Sequence, residues 1–448
     1  MDGRHPGGSA PPGQWEPPAA AGPVHAQISL PGSKSMTNRA LVLAALADGP
    51  AVVTGPLDAR DTRLMAGALT ALGATITGPG GPAPAWHVTP GQPAGDTSVD
   101  VGNAGTVMRF VPPVAALTSV AVRFHGDPRA SQRPVGPLLA ALRELGAVID
   151  DGGTGAVPFT VRGTGAVPGG VVTLDASASS QLVSGLLLAA PRYDKGVEVR
   201  HSGPRPPSAP HIEMTVHMLR EAGAEVETAV RGGAAAGGLP DTWRVHPGRI
   251  TGREFTVQPD LVNSAPFLAA ALVTGGTVTI AGWPAVTTQP AAQIIDVFTR
   301  LGASCELTPA GLAVTGTGGV LGITADLADV SEIAPVAAAL AALASSPSRL
   351  TGIGHMRSHE TDRLAALATE IGALGGQVSE LPDGLEITPR PLRASGRHFA
   401  SYDDHRLVMA AAVLSLAVPG LAIAGAATVG KTFPGFPRLW ARMLESVP

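Results

Sequence analysis

Leu142-Arg143-Glu144-Leu145-Gly146-Ala147 belongs to a set of related phrases that sets the architecture of this chain. The same pattern returns as Leu69–Ala74, Leu219–Ala224 and Phe298–Ala303, with a weaker copy at Ile371–Gly376. Its glycines, Gly73, Gly146, Gly223, Gly302 and Gly375, are separated by 73, 77, 79 and 73 residues. Each phrase reads as the end of a helix. An apolar stripe closes the last turn, Gly lets the chain leave it, and a β-like run such as Ala147-Val148-Ile149 follows. A sixth copy is due near the C-terminus, where Leu439–Leu444 reads as a final helix.

About 40 residues before each glycine a second, Ala-rich helix opens. The openings are expected at Ser35–Ala47, Asn103–Leu117, Ser179–Ala190, Asn263–Val273, Ser331–Ala344 and Asp404–Val418. Short alternating strands follow, as in Thr277-Val278-Thr279-Ile280. Periods of two and 3.6 therefore alternate, which is the pattern of a mixed α/β fold. Six units of about 75 residues exceed one core of ordinary size, so two domains of three units are expected. A solenoid is the alternative, although this repeat is long for that class.

The bulk composition limits the function classes. The chain has 448 residues, 44% of them hydrophobic, and a formal net charge of −4. Nothing in that charge points to nucleic acid or to an anionic membrane surface. Its apolar runs, such as Val408–Val418, fall well short of the roughly 18 residues a membrane span needs. A single cysteine, Cys305, gives neither a disulfide framework nor a Cys-based metal site, and a cytoplasmic location is expected. Residues 1–23 are rich in Pro, Gly and Ala and read as a disordered tail that lacks the pattern of a signal peptide.

Only Lys34, Lys195 and Lys431 are lysines among 31 basic residues, the other 28 being arginine. Two of the three lie in Gly-flanked turns, Pro31-Gly32-Ser33-Lys34-Ser35 and Gly430-Lys431-Thr432. A compact ammonium kept against such a bias hints at a specific job. The polar residues gather at the helix openings: Lys34-Ser35 with Asn38-Arg39, Gly102-Asn103-Ala104-Gly105-Thr106 with Arg109, Ser179-Ser180-Gln181, and Asp404-His405-Arg406. Free N–H groups and the positive end of the dipole make a helix N-terminus suited to anions. Ordinary capping explains the Ser, Asn and Asp residues there, but capping needs no cation. Gly126–Pro134, Ser208, His355–Arg363 and Lys431–Pro434 add more arginines, histidines and Lys431, and Glu332 and Glu360 supply two carboxylates. This equipment binds small polyanions and moves protons. Lys34-Ser35 is no P-loop, because Ser33 stands where glycine is needed. Neither zinc-ligand spacing nor a Gly-x-Ser-x-Gly elbow occurs.

Taken together, Leu30-Pro31-Gly32-Ser33-Lys34-Ser35 with Asn38-Arg39, Gly102–Thr106 with Arg109, Arg133-Pro134, Ser179-Ser180-Gln181, Glu360-Thr361-Asp362-Arg363-Leu364, Asp404-His405-Arg406 and Lys431-Thr432-Phe433-Pro434 resemble, in order, the signatures of EPSP synthases. The resemblance spans nearly the whole chain after the tail. It implies a two-domain inside-out α/β barrel with six βαβαββ repeats, three per domain. The domains would be 24–32 with 258–448, and 33–257, with the active site in the cleft between them. It implies transfer of the enolpyruvyl group of phosphoenolpyruvate to the 5-hydroxyl of shikimate 3-phosphate, without metal or organic cofactor, in a monomer sensitive to glyphosate.

Carried over by position, the resemblance assigns shikimate 3-phosphate to Lys34, Ser35, Arg39, Ser179, Ser180, Gln181, Ser208, Glu332, His355 and His359. The serines would take its phosphate and Arg39 its carboxylate. It assigns phosphoenolpyruvate to Lys34, Asn103, Gly105, Arg133, Gln181, Arg363, His405, Arg406 and Lys431. Glu332 would take the hydroxyl proton, and Glu360, near Lys34, would donate one to the methylene carbon. Four positions depart from the family pattern: Glu332 replaces Asp, His355 and His359 replace Asn and Lys, and Phe110 replaces a frequent proline. Two alternatives remain at this point. One is the sister enzyme acting on UDP-N-acetylglucosamine, which usually has a Cys in the loop that here reads Asp127–Gln132. The other is an inactive anion-binding paralogue.

Overall fold

The computed structural model describes residues 13–78, 84–230 and 238–445. Five four-stranded sheets share one strand order. The clearest runs Thr97–Asp100, helix Gly105–Ala115, Ala121–His125, helix Gly136–Glu144, Val148–Asp150, Phe159–Arg162. The first two strands pair in parallel across the first helix, and the last two close the sheet antiparallel. This is a βαβαββ unit.

The order of chain and the order of space part company at one place. Strand Ala51–Thr54 takes its parallel partner from Glu254–Thr256, some 200 residues downstream, while His25–Ile28 pairs with Thr277–Ala281. The chain thus crosses between the two halves of the molecule before Lys34 and again after Thr256. The crossing segments run side by side: Ser33 N–H donates to Gln258 O at 2.8 Å, and Asp260 N–H to Pro31 O at 2.9 Å. Only glycine fits at the crossing, because a Cβ on Gly32 would lie 2.1 Å from Gly55 O.

Buried apolar residues form two separate clusters. One runs from Met36 to Val257, and the other joins Val24 and Ile28 to Leu261–Leu444. At the centre of the first, helices Lys34–Leu46, Gly105–Ala115 and Gln181–Ala189 touch one another. At the centre of the second, Ala265–Thr274, Ala334–Ala342 and His405–Ser415 do the same. These are the six expected helices, within two or three residues at each end. They are apolar nearly all round, as a helix enclosed on every side must be, and their alanines and glycines allow close approach. Among the described residues, no helix is long and apolar enough to cross a membrane.

The N-terminal expectation needs correcting in part. Gln14–Trp15, read as tail, pairs antiparallel with Ile423–Ala424, and Trp15 packs edge-on against Phe436 with ring centroids 5.8 Å apart. One large aromatic and a free sheet edge are enough to order a segment that composition alone marks as loose. Residues 1–12 of the same expectation lie outside the described residues.

Gly185 is the tightest point between two central helices, since a Cβ there would lie 2.2 Å from Arg109 O. Gly185→Ala is expected to lower stability by at least about 1–3 kcal/mol, the usual cost of overpacking. Chemical denaturation measures it, and an unchanged midpoint would show that the helices can part without cost.

Candidate active site

All six central helices point their N-termini at one narrow cavity of about 70 Å³. Residues from every opening line it: Lys34, Gly105, Gln181, Asp260, Glu332 and His405 each come from a different one. Summed dipoles and unsatisfied N–H groups make the space electropositive before any side chain is counted. The side chains add to this. Lys34, Arg109, Arg133, Arg363 and Arg406 line the cavity against the carboxylates Asp260, Glu332 and Glu360.

On the first-cluster side the cations are held by oxygen acceptors. Lys34 Nζ pairs with Asp61 at 3.3 Å, and its backbone N–H donates to Asp260 Oδ2 at 3.2 Å. Arg109 donates to Gln181 Oε1 at 2.8 Å and to Pro134 O at 3.0 Å. Burial, together with neighbouring Arg133, pulls its pKa down to about 9, which marks a positive charge short of an anion. Arg133 donates to the backbone and side-chain oxygens of Asn103, at 2.5 and 3.1 Å. Gly105 sits among these ends: a Cβ there would lie 2.7 Å from Arg133 Nη2, 2.8 Å from Arg109 Nη1 and 3.0 Å from Gln181 Oε1.

On the other side, Arg363 is the hub. Its Nε donates to Asp404 Oδ2 at 2.6 Å and its Nη2 to Asp404 Oδ1 at 3.2 Å. Nη2 also reaches Glu360 Oε2 at 2.9 Å, and Nη1 lies 3.0 Å from His359 Nδ1. As arginine only donates, that imidazole accepts at Nδ1 and carries its proton on Nε2. Burial and the Arg363 charge hold His359 neutral. Burial works to raise the Glu360 pKa, but Arg363, Arg133, His405 and His359 outweigh it and keep the carboxyl ionised, well below the usual range. Glu332 behaves alike: burial opposes, while His211, Arg406, His359 and Arg363 bring it to about 2. Arg406 itself donates to Asn263 Oδ1 at 3.0 Å.

The cavity gathers twelve of the expected site residues. Lys34, Ser35, Gly105, Arg133, Ser179 and Gln181 come from one half, and Glu332, His359, Glu360, Arg363, His405 and Arg406 from the other. Six lie elsewhere. Asn103 backs Arg133, and Ser180 is buried at the Gln181 helix opening. Lys431, half-buried at the end of its turn, rests its Nζ on Asp403 O at 2.7 Å. Ser208 and His355 join across the halves, each 3.1 Å from Ser331 Oγ. Arg39 is 1% exposed and committed to Thr215, Ser184, Ser35 O and His211 O at 2.7–3.2 Å. Its guanidinium carbon also stands 5.1 Å from the ring centre of Phe110, which gives that departure from the family pattern a cation–π role.

Four functional groups escaped the sequence reading. Arg109 was quoted there only as part of a motif, without a role. Asp61, Asp260 and His211 lack any local pattern. Asp260 joins Lys34 only because the crossing segments are adjacent. The His211 imidazole lines the cavity, its backbone oxygen held by Arg39 at 3.0 Å, and burial brings its pKa down to about 4.

Similarity to known proteins agrees with this geometry. The family model described as EPSP synthase (3-phosphoshikimate 1-carboxyvinyltransferase) matches residues 18–440. An EPSP synthase structure from Acinetobacter baumannii superposes with a TM-score of 0.77 at 24% identity, covering 96% of this chain and 98% of its own. The enolpyruvyl transferase NikO from Streptomyces tendae superposes with a TM-score of 0.71 at 16% identity, covering 95% and 96%. These structures share the fold, and the match to the family model covers nearly the whole chain. The chain belongs to the EPSP synthase family, the 3-phosphoshikimate 1-carboxyvinyltransferases of the shikimate pathway.

Proposed function

We propose that the cavity residues perform this family's reaction in named roles, binding both substrates between two domains, 24–32 with 258–448 and 33–257. The observation that carries the reading is the convergence of six helix N-termini and five cations on one cavity. Two substrates, each bearing a phosphate and a carboxylate, are what such a surplus fits. A cavity of about 70 Å³ holds only a few waters. In this reading the halves part to admit substrate, which breaks the contacts Ser208 N–H to Ala328 O at 2.8 Å and Ser208 to Ser331 at 3.1 Å.

Ser35, Ser179 and Gln181 bind shikimate 3-phosphate beside Lys34, while Ser180, Ser208, His355 and His359 complete that half of the site on closure. Arg39 holds the Ser35 and His211 backbones. Any contact it makes with the acceptor carboxylate runs through its one uncommitted Nη1 hydrogen. Arg133, Gly105, Arg363, His405, Arg406 and Lys431 surround phosphoenolpyruvate, with Asn103 orienting Arg133. Glu332 takes the 5-hydroxyl proton as that oxygen attacks the enol carbon. Glu360 delivers a proton to the methylene carbon, giving a tetrahedral phospho-ketal; the C–O bond to phosphate then breaks as a methyl proton returns to Glu360, which forms the enolpyruvyl double bond and releases phosphate.

A carboxylate with a pKa near 2 is a feeble base, and an ionised one donates no proton. Both features belong to the empty site. Each phosphate brings about two negative charges, which neutralise Arg363, Arg133 and Arg406. With its cations screened, each carboxylate is governed by burial, which raises its pKa. Substrate binding thus turns Glu332 into a usable base and lets Glu360 acquire a proton.

The reading favours shikimate 3-phosphate over a nucleotide sugar. The Asp127–Gln132 loop carries no Cys, and Cys305 is half-buried in strand Ser304–Thr308. Phosphate release is expected with phosphoenolpyruvate plus shikimate 3-phosphate and not with UDP-N-acetylglucosamine. Release with the nucleotide sugar alone would reverse the assignment, and release with neither would leave an anion-binding paralogue.

Glu332→Gln keeps the shape of the base and removes its basicity. It is expected to lower kcat by about 100-fold or more, the usual contribution of a general base. Shikimate 3-phosphate should still bind by calorimetry. A near-parental kcat with a lowered melting temperature would make Glu332 a plain helix-opening residue.

A further inference from the structure

The sixth sheet is short of chain. In the other five, each parallel pair is completed by two antiparallel strands that follow its inner strand in the chain. Here the parallel pair is Phe399–Ala400 with Ile423–Ala424, and the chain runs straight on into the 3-10 turn Ala426–Lys431 and helix Phe436–Glu445. The missing antiparallel strand is supplied by Gln14–Trp15 from the other end of the chain.

That arm grips the Lys431 turn on both sides. Before it, Gly425 N–H donates to Gly13 O at 2.9 Å, and Gly425 precedes Ala426, the first residue of the turn. After it, Trp15 packs on Phe436, whose ring lies 5.8 Å from that of Phe433, two residues beyond Lys431. Phe267 and Trp440 anchor the same aromatic group in the second apolar cluster. Within the turn, Thr428 Oγ1 and Lys431 Nζ both donate to Asp403 O, at 2.9 and 2.7 Å. The turn itself touches helix Arg60–Ala71 of the other half, so it stands at the rim of the cleft. A flexible, half-buried lysine at that rim is only as well placed as its backbone.

We propose that the N-terminal arm, through Trp15 and its pairing with Ile423–Ala424, is a positioning element for Lys431 and hence for the phosphoenolpyruvate half of the site. The inference rests on the reading of Lys431 as a phosphoenolpyruvate ligand. Without the arm, the edge of Ile423–Ala424 loses its partner and Phe436 loses a ring contact, and the turn between them is free to shift. Gln14 and Trp15 are not among the residues lining the cavity, so the arm's effect is confined to the ligand that Lys431 holds.

The test measures steady-state constants for Trp15→Ala, Trp15→Phe, a deletion of residues 1–16, Lys431→Met, and the Trp15→Ala, Lys431→Met pair. Trp15→Ala and the deletion are expected to raise KM for phosphoenolpyruvate about five- to twentyfold, as misplaced ligands do, with KM for shikimate 3-phosphate little changed. Trp15→Phe should restore most of the loss. The paired variant should be no worse than Lys431→Met alone, because the arm acts through that lysine. If Lys431→Met raises KM for phosphoenolpyruvate but the arm variants only lower the melting temperature, the arm is merely structural and the inference falls alone. If Lys431→Met leaves that KM unchanged, the reading of Lys431 fails and the inference falls with it.

Discussion

Asp404 is a wholly buried carboxylate with two obligations, and the site is built on its meeting both. One oxygen accepts the backbone N–H of Arg406, at the start of a central helix, at 2.8 Å. The same carboxylate takes a two-point grip on Arg363, at 2.6 and 3.2 Å. A buried charge is tolerable only when paired and hydrogen-bonded, and each partner here satisfies the other. The consequence is a guanidinium fixed in direction before any ligand arrives. Glu360 and His359 hang from its remaining donors, and Glu332 feels its field. Pre-fixed charge costs little reorganisation when substrate binds, which is the most effective form of electrostatic catalysis.

The fold exists to bring such groups together from distant parts of the chain. Six short helices carry polar residues at their N-termini and mostly apolar surface behind them. Packing three of them in each half leaves the N-termini no place but the cleft. This explains why the openings at Lys34, Gly105, Gln181, Glu332 and His405 are Gly-, Ser- or Asp-rich while their helices run on as Ala, Leu and Val. The Asp260 opening belongs to the same set.

Much of this was legible in the sequence because it is local. The Leu-x-x-Leu-Gly-Ala phrase marks a helix end wherever it occurs, and the polar openings announce themselves by unusual cations. Three features carry no local pattern. The exchange of His25–Ile28 for Glu254–Thr256 depends on which strand reaches which sheet edge, and only the family resemblance, with its breaks near residues 32 and 258, pointed to it. The order of Gln14–Trp15 depends on an edge left free some 400 residues later. Arg39 has the motif of a ligand and the surroundings of a core residue. Its role turns on Thr215, Ser184 and His211, which lie far away in sequence and carry no signature.

In the proposed mechanism the cations that hold Glu360 ionised in the free enzyme are the ones phosphoenolpyruvate neutralises, so that binding loads the proton donor. Glu360 is held well below the usual carboxylate range when empty, and removing its positive neighbours can only raise it. Calorimetry of phosphoenolpyruvate binding to the complex with shikimate 3-phosphate, on a slow variant such as Glu332→Gln, reads the proton directly from buffers of different ionisation heat. At pH 8 the phosphates are essentially ionised, since their second pKa lies near 6, and Glu360 is the group placed to gain a proton. Net proton uptake is expected on binding, and it should be lost in the additional Glu360→Gln variant. Binding without uptake, or with uptake unaffected by that change, would contradict this mechanism.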